Sequence, residues 1–245
     1  MILAMPSKRI PLGRLRAQKA HQTNGVQPGN SDCGPARLYC NVVPTKSLYR
    51  VHPSVAMAQK GVASLKEKTR RSLEEWLKLL EKSGPPTEKE RRAWLKSAHG
   101  LGMNYAGWIL ARAGGEGGDF SSPEAYLRAA ERYVDTMFSG KAALRPIYDA
   151  LLKLGFGLGK DVKACPCQTM VPLYRQHVFA QIKPATRTRI DLGFALGARP
   201  AEGRLIDTGG YAKKDRITHR IPISSLAEID DEVKHWLRTA FEEDR

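Results

Sequence analysis

The chain of 245 residues has only four cysteines, no run of about 18 apolar residues, and no residue spacing diagnostic of a catalytic centre. Each shortage excludes something. Cys33 and Cys40 lie in the first sixth of the chain, and Cys165 and Cys167 flank a proline, too few and too badly placed for a disulfide framework. A reducing compartment is the expectation, and the cytoplasm the simplest location. The missing apolar run excludes a membrane-spanning helix. A Cys-x-Cys pair with His177 and His219 falls short of the Cys-x₂₋₄-Cys knuckles of structural zinc sites, so no metal is expected and no cofactor is called for. Asp191, Asp207 and Asp215 lie near those histidines without a triad spacing, and Asp215-Arg216 with His219 reads as an ion pair at a hairpin. Gly155-Phe156-Gly157-Leu158-Gly159-Lys160 lacks both the four-residue interval and the following Ser/Thr of a phosphate loop, and reads as a helix stop. The balance leans away from an enzyme.

Positive charge is plentiful but uneven. The formal net charge is +15. Residues 1–56 carry eight Lys/Arg against the single acid Asp32, in a stretch rich in Pro, Gly, Asn, Gln and Ser with no helical or strand period. We read 1–56 as a disordered extension, with folding expected to begin at Met57.

From Met57 onward helix signals come in quick succession. Ser72-Leu73-Glu74-Glu75 and Thr87-Glu88-Lys89-Glu90 are capping boxes, each opening onto apolar residues at helical spacing, and Gly84-Pro85-Pro86 separates them. Tyr105 to Ala113 reads as a third helix, ended by the glycine-rich 114–118. Ser121-Ser122-Pro123-Glu124 starts a further helix running to Gly140, and another holds Leu144 to Leu152. The period then changes to two. Met170–Tyr174, His177–Ile182, Arg189–Leu196 and Thr218–Ile223 read as strands, and Asp230–Phe241 closes the chain as an amphipathic helix. The fold class is therefore α+β: a small helical domain at 57–118 with a Gly-Leu-Gly hairpin, then an α+β domain at 119–245 whose mostly antiparallel sheet is flanked by helices.

Two stretches are candidates for binding phosphate. Gly100-Leu101-Gly102-Met103-Asn104 fits a tight turn between two short helices, where unpaired backbone N–H groups and the positive end of the helix dipole favour an anion, with Lys96 nearby. It resembles a helix-hairpin-helix element, whose Gly-apolar-Gly turn approaches DNA phosphates without sequence preference. The same glycines also suit close helix packing, with Leu101 plugging the core. The second stretch is the basic sheet. Residues 160–220 hold twelve Lys/Arg and five acids, whereas 221–245 are net acidic. Arg187 and Arg189, two apart, would share a strand face, and Lys213, Lys214 and Arg216 sit on a loop opened by Gly209-Gly210. Tyr174, His177, Phe179 and Tyr211 would add stacking surfaces. Alternating arginines equally suit the solvent side of a two-layer sheet.

The run Lys68 to Trp76 together with Trp94 to Gly102 resembles the bacterial helical domain of unknown function 4287. Arg145-Pro146-Ile147-Tyr148, Tyr174 to Ala180, Arg187 to Gly193 and Asp215 to Arg220 resemble domain of unknown function 5655. The resemblance spans roughly residues 58–243 and implies a two-part architecture but no activity and no functional residues. The expected function is non-catalytic binding of phosphate groups, with nucleic acid as partner, no membrane role, and a protein partner unspecified. The alternative is a small-ligand or protein-interaction module.

Overall fold

The computed structural model describes residues 47–115 and 117–244. Packing begins upstream of Met57. The Tyr49 side chain is buried and its hydroxyl lies 3.0 Å from that of Tyr148, while the Arg50 N–H donates to the Ala164 carbonyl at 2.9 Å. Helix α1 (Pro53–Ala63) opens with proline at its first turn and with His52 Nδ1 accepting the Ser54 N–H at 3.1 Å. Over residues 47–56 the expected disordered extension is thus corrected, because these residues supply core and cap; the rest of the expected extension, with Cys33 and Cys40, lies outside the described residues.

A short helix α2 (Leu65–Thr69) follows, then α3 (Leu73–Ser83) and α4 (Glu88–Ser97), both opened by reciprocal capping boxes at Ser72/Glu75 and Thr87/Glu90. Helix α5 (Met103–Ala113) completes the helical half. Leu65, Trp76, Leu80, Leu95, Leu101 and Ile109 make a core of their own there.

Helix α6 (Pro123–Phe138), capped by Ser122, and α7 (Arg145–Phe156) lead into six strands: β1 (Lys163–Ala164), β2 (Val171–Tyr174), β3 (Val178–Lys183), β4 (Ile190–Phe194), β5 (Ile206–Asp207) and β6 (His219–Ile223). Helix α8 (Asp231–Glu243) follows. The strands form one antiparallel sheet in the order β1-β2-β3-β4-β6-β5. Their apolar residues, Leu173, Ile182, Leu192, Phe194 and Ile221 among them, share a large core with α6, α7 and α8. Gly155 lies within α7 rather than ending it, and a Cβ there would stand 2.7 Å from Leu173 Cδ1, so this glycine sets how closely α7 approaches β2.

Helix α1 serves both cores. Val55 belongs to the large one and Val62 packs on the small one. Between them Gly61 lies flat against the Trp108 indole, where a Cβ would come within 1.8 Å of Cζ3. All described residues belong to one compact unit.

The other sheet parity carries Gln181, Gly193 and Arg220 in one cross-strand row and Lys183 beside Asp191 in the next. It is not bare. A Cβ on Gly193 would meet Ile217 Cγ2 at 2.7 Å, so the β5–β6 connection lies against this face.

Candidate phosphate-binding surfaces

The hairpin is built by a left-handed glycine. Gly100 has φ +65°, and its N–H returns to the Lys96 carbonyl at 3.0 Å while the Leu101 N–H returns to Leu95 at 3.1 Å, closing α4. Leu101 then drops into the small core, as the packing reading of the hairpin expects. Gly102 caps α5 with no side-chain hydrogen bond, and the first backbone bond of α5 runs from Ala106 to Gly102. The N–H groups of Met103 and Asn104 therefore have no intrahelical acceptor. Both residues are exposed, Met103 at 78%, and Lys96 is exposed one residue before the end of α4.

Gly100 and Leu101 form one wall of a groove of about 410 Å³ whose other walls are Lys68, Thr69, Arg70, Arg71, Trp76 and His99. No acidic residue lines it. Thr69 Oγ1 accepts from the Trp76 indole N–H at 2.8 Å and donates to the Leu65 carbonyl at 2.7 Å, which fixes the ring. The Arg71 guanidinium lies 5.1 Å above that ring as a cation–π pair. Arg70, following α2, has φ +60°, one of two non-glycine residues in the left-handed region among the described residues. Neither arginine has an ion-pair partner among the described residues, and Lys68 meets only the exposed Glu67 at 2.9 Å, a pair worth little in water. His99 stands edge-on to Trp76 and Trp94, its Nε2 shielded and without a hydrogen bond.

The sheet candidates fare differently. Arg187 and Arg189 precede β4 and lie in the connection from β3, so the expected shared strand face does not exist. Arg187 is exposed. Arg189 Nε is 2.9 Å from Asp191 Oδ1, and Arg220 donates to Asp191 Oδ2 at 3.1 Å, so one carboxylate balances two guanidinium groups. Arg216 donates to the buried Asp244 carboxylate at 2.6 Å and to the Val178 carbonyl at 3.0 Å. Lys213 and Lys214 are exposed on the β5–β6 connection, Lys214 being the second left-handed residue at φ +59°. Lys214 and Arg216 line a cleft of about 690 Å³ with Asp215 and Glu243, a wall of mixed charge. Of the expected stacking residues, Phe179 is buried against Phe241, Tyr174 bonds His52, and His177 is tied to Asp244; Tyr211 is exposed.

Among the described residues, His219, Cys165 and Cys167 do not stand as a nucleophile with its base. His219 is buried, with Nδ1 2.9 Å from Thr218 Oγ1 and Nε2 2.8 Å from the Arg199 carbonyl. Burial pushes the Cys165 thiol up to about 12 and raises Cys167 as well, the opposite of an activated thiolate. Among the described residues no three His, Cys, Asp or Glu cluster as metal ligands, and no helix is long and apolar enough to cross a membrane.

Residues 57–114 match the family model described as domain of unknown function DUF4287, and residues 134–244 match that of DUF5655. The chain belongs to the proteins that join a DUF4287 domain to a DUF5655 domain. No curated protein and no solved structure matches it. The groove lies wholly in the DUF4287 half, the mixed cleft wholly in the DUF5655 half. Sequence reasoning found Gly100 but assigned no binding role to Lys68, Arg70 and Arg71; three cations in four residues, five before a tryptophan, were the available signal.

Proposed function

We propose that this protein is a non-catalytic, cytoplasmic, phosphate-binding protein that contacts nucleic acid without sequence preference, and that the DUF4287 groove is its principal contact. One observation carries the reading: Arg70 and Arg71, without ion-pair partners among the described residues, and Lys68 line the same acid-free groove as the Gly100–Leu101 turn. A phosphate placed there would meet forked guanidinium donors held by the Thr69–Trp76 bond and the left-handed backbone. The open amides of Gly102, Met103 and Asn104 and the ammonium of Lys96 adjoin the same turn. Exposed Arg187, Lys213 and Lys214 add longer-range attraction, whereas Arg189 and Arg216 contribute little because Asp191 and Asp244 hold them.

Anisotropy titration of the full chain with a labelled single strand tests this. Two to three neutralised phosphates give a log–log salt slope of about −1.4 to −2, so affinity falls roughly 7- to 20-fold between about 50 and 200 mM salt. Arg70→Gln/Arg71→Gln should remove most of the affinity, and Arg132→Gln/Lys234→Gln, a matched loss of two charges from residues paired with Asp119 and Asp231, should not. Absence of binding to single- and double-stranded DNA and RNA at low salt overturns the proposal. Binding of a small metabolite or protein unaffected by the double variant would favour an interaction module.

A further inference from the structure

Resting on that phosphate-binding reading, we infer that the groove takes a terminal phosphate monoester, the phosphorylated end of a strand, in preference to the diesters along it. The charge is concentrated rather than strung out. Three cations within four residues line one groove of about 410 Å³, at the small end of ligand sites. On the adjoining α4, Arg91 Nε donates to the Pro85 carbonyl at 2.7 Å and Arg92 is paired with Glu88 at 2.7 Å, while exposed Lys96, beside the same turn, adds a further charge at that point. A diester backbone offers one charge per phosphate and would run past this point. A monoester brings close to two charges, and three acceptor oxygens, to one place.

Two further features suit such an end. Arg70 occupies a left-handed conformation that glycine takes freely and an L-residue takes at a cost, so stability is given up where a guanidinium is placed beside the groove. Arg71, stacked on Trp76 on one side and exposed, can present its other face to a terminal base.

The test compares one short oligonucleotide in three forms, with a 5′-phosphate, with a 3′-phosphate and with two hydroxyl ends, against the full chain at low salt. The expected result is binding about tenfold tighter for one or both phosphorylated forms, shrinking as pH falls through about 6, where the monoester loses its second charge. Inorganic phosphate should compete. Arg70→Gly should abolish the preference while raising the urea midpoint, a combination that a purely structural Arg70 would not produce, and Arg71→Gln should abolish it as well. Equal binding of all three forms, weakened in both variants, would overturn the end preference and leave the phosphate-binding reading standing. A preference that survives both variants would overturn the assignment to this groove. No binding by any form would bring down both.

Discussion

Arg216 should matter more to stability than the residue it holds, although Arg216 is half exposed and Asp244 is 1% exposed. Asp244 Oδ1 accepts from Arg216 Nη2 at 2.6 Å and faces His177 Nδ1 at 3.2 Å, and Oδ2 accepts the His177 N–H at 2.9 Å. Arg216→Ala leaves a buried carboxylate without its guanidinium, and breaking a buried pair in this way costs about 3 kcal/mol, the low end of the usual range because water can follow the half-exposed side chain inward. Asp244→Ala removes the charge itself. Its former partners Arg216 and the His177 ring reach solvent, so chiefly the His177 N–H is orphaned, at about 1–2 kcal/mol. For a chain of this size the two losses correspond to roughly 6–12 °C and 2–8 °C in Tm. Thermal and urea denaturation of both single variants and of Arg216→Ala/Asp244→Asn gives the comparison. The double variant should regain part of the loss, since asparagine carries no charge to strand. If Asp244→Ala proved the more damaging, or the two changes simply added, the account of a buried charge held by one guanidinium would be wrong.

The histidine that caps α1 links stability to pH: burial lowers the His52 pKa below its ordinary 6.5. The folded state therefore favours the neutral ring, and its contribution is complete above pH 6.5 and declines as pH falls from there toward the lowered folded value. The urea midpoint should drop between pH 7.5 and about 5.5, and less steeply in His52→Asn. Gly61→Ala forces a methyl into the Trp108 ring and should cost about 1–3 kcal/mol, with a changed tryptophan fluorescence in the folded state. Gly100→Ala meets open space but keeps φ +65°, so calorimetry should show a loss of only about 1 kcal/mol, a conformational cost rather than a clash.

Local chemistry made most of the fold legible. The Ser72 and Thr87 boxes, the Ser122-Pro123 start and the short apolar runs in Val171–Tyr174 and Val178–Lys183 each carry their signal within a few residues. Strands β1 and β5 have two residues each, too short for any period, and they exist because neighbouring strands offer an edge. Tyr49 and His52 looked like stray residues in a polar stretch because their partners, Tyr148 and Tyr174, are about a hundred residues away or more. The same distance hid the fate of the arginines. Composition shows a basic sheet region, but Arg216 meets Asp244, 28 residues later, and only the tertiary fold shows that its charge is already balanced. Conversely, Arg70 and Arg71 follow a five-residue helix, where basic residues ordinarily complement the helix dipole, and only the return of the Gly100 turn beside them makes a groove.

Helix α6 has a consequence for how the two halves can be exchanged between proteins. The family matches end at residue 114 and resume at 134, inside α6, leaving Tyr126, Ala129 and Ala130 in the gap although all three are fully buried. The Tyr126 hydroxyl donates to the Pro166 carbonyl at 2.8 Å, and its ring touches His52, which in turn starts α1. What reads as a spacer is therefore a keystone shared by both ends of the junction. A DUF5655 half transplanted at its matched boundary would lose four buried residues of α6 at once, Tyr133 included, so grafts between relatives should be cut before Ser122 and should carry residues 47–56 with them.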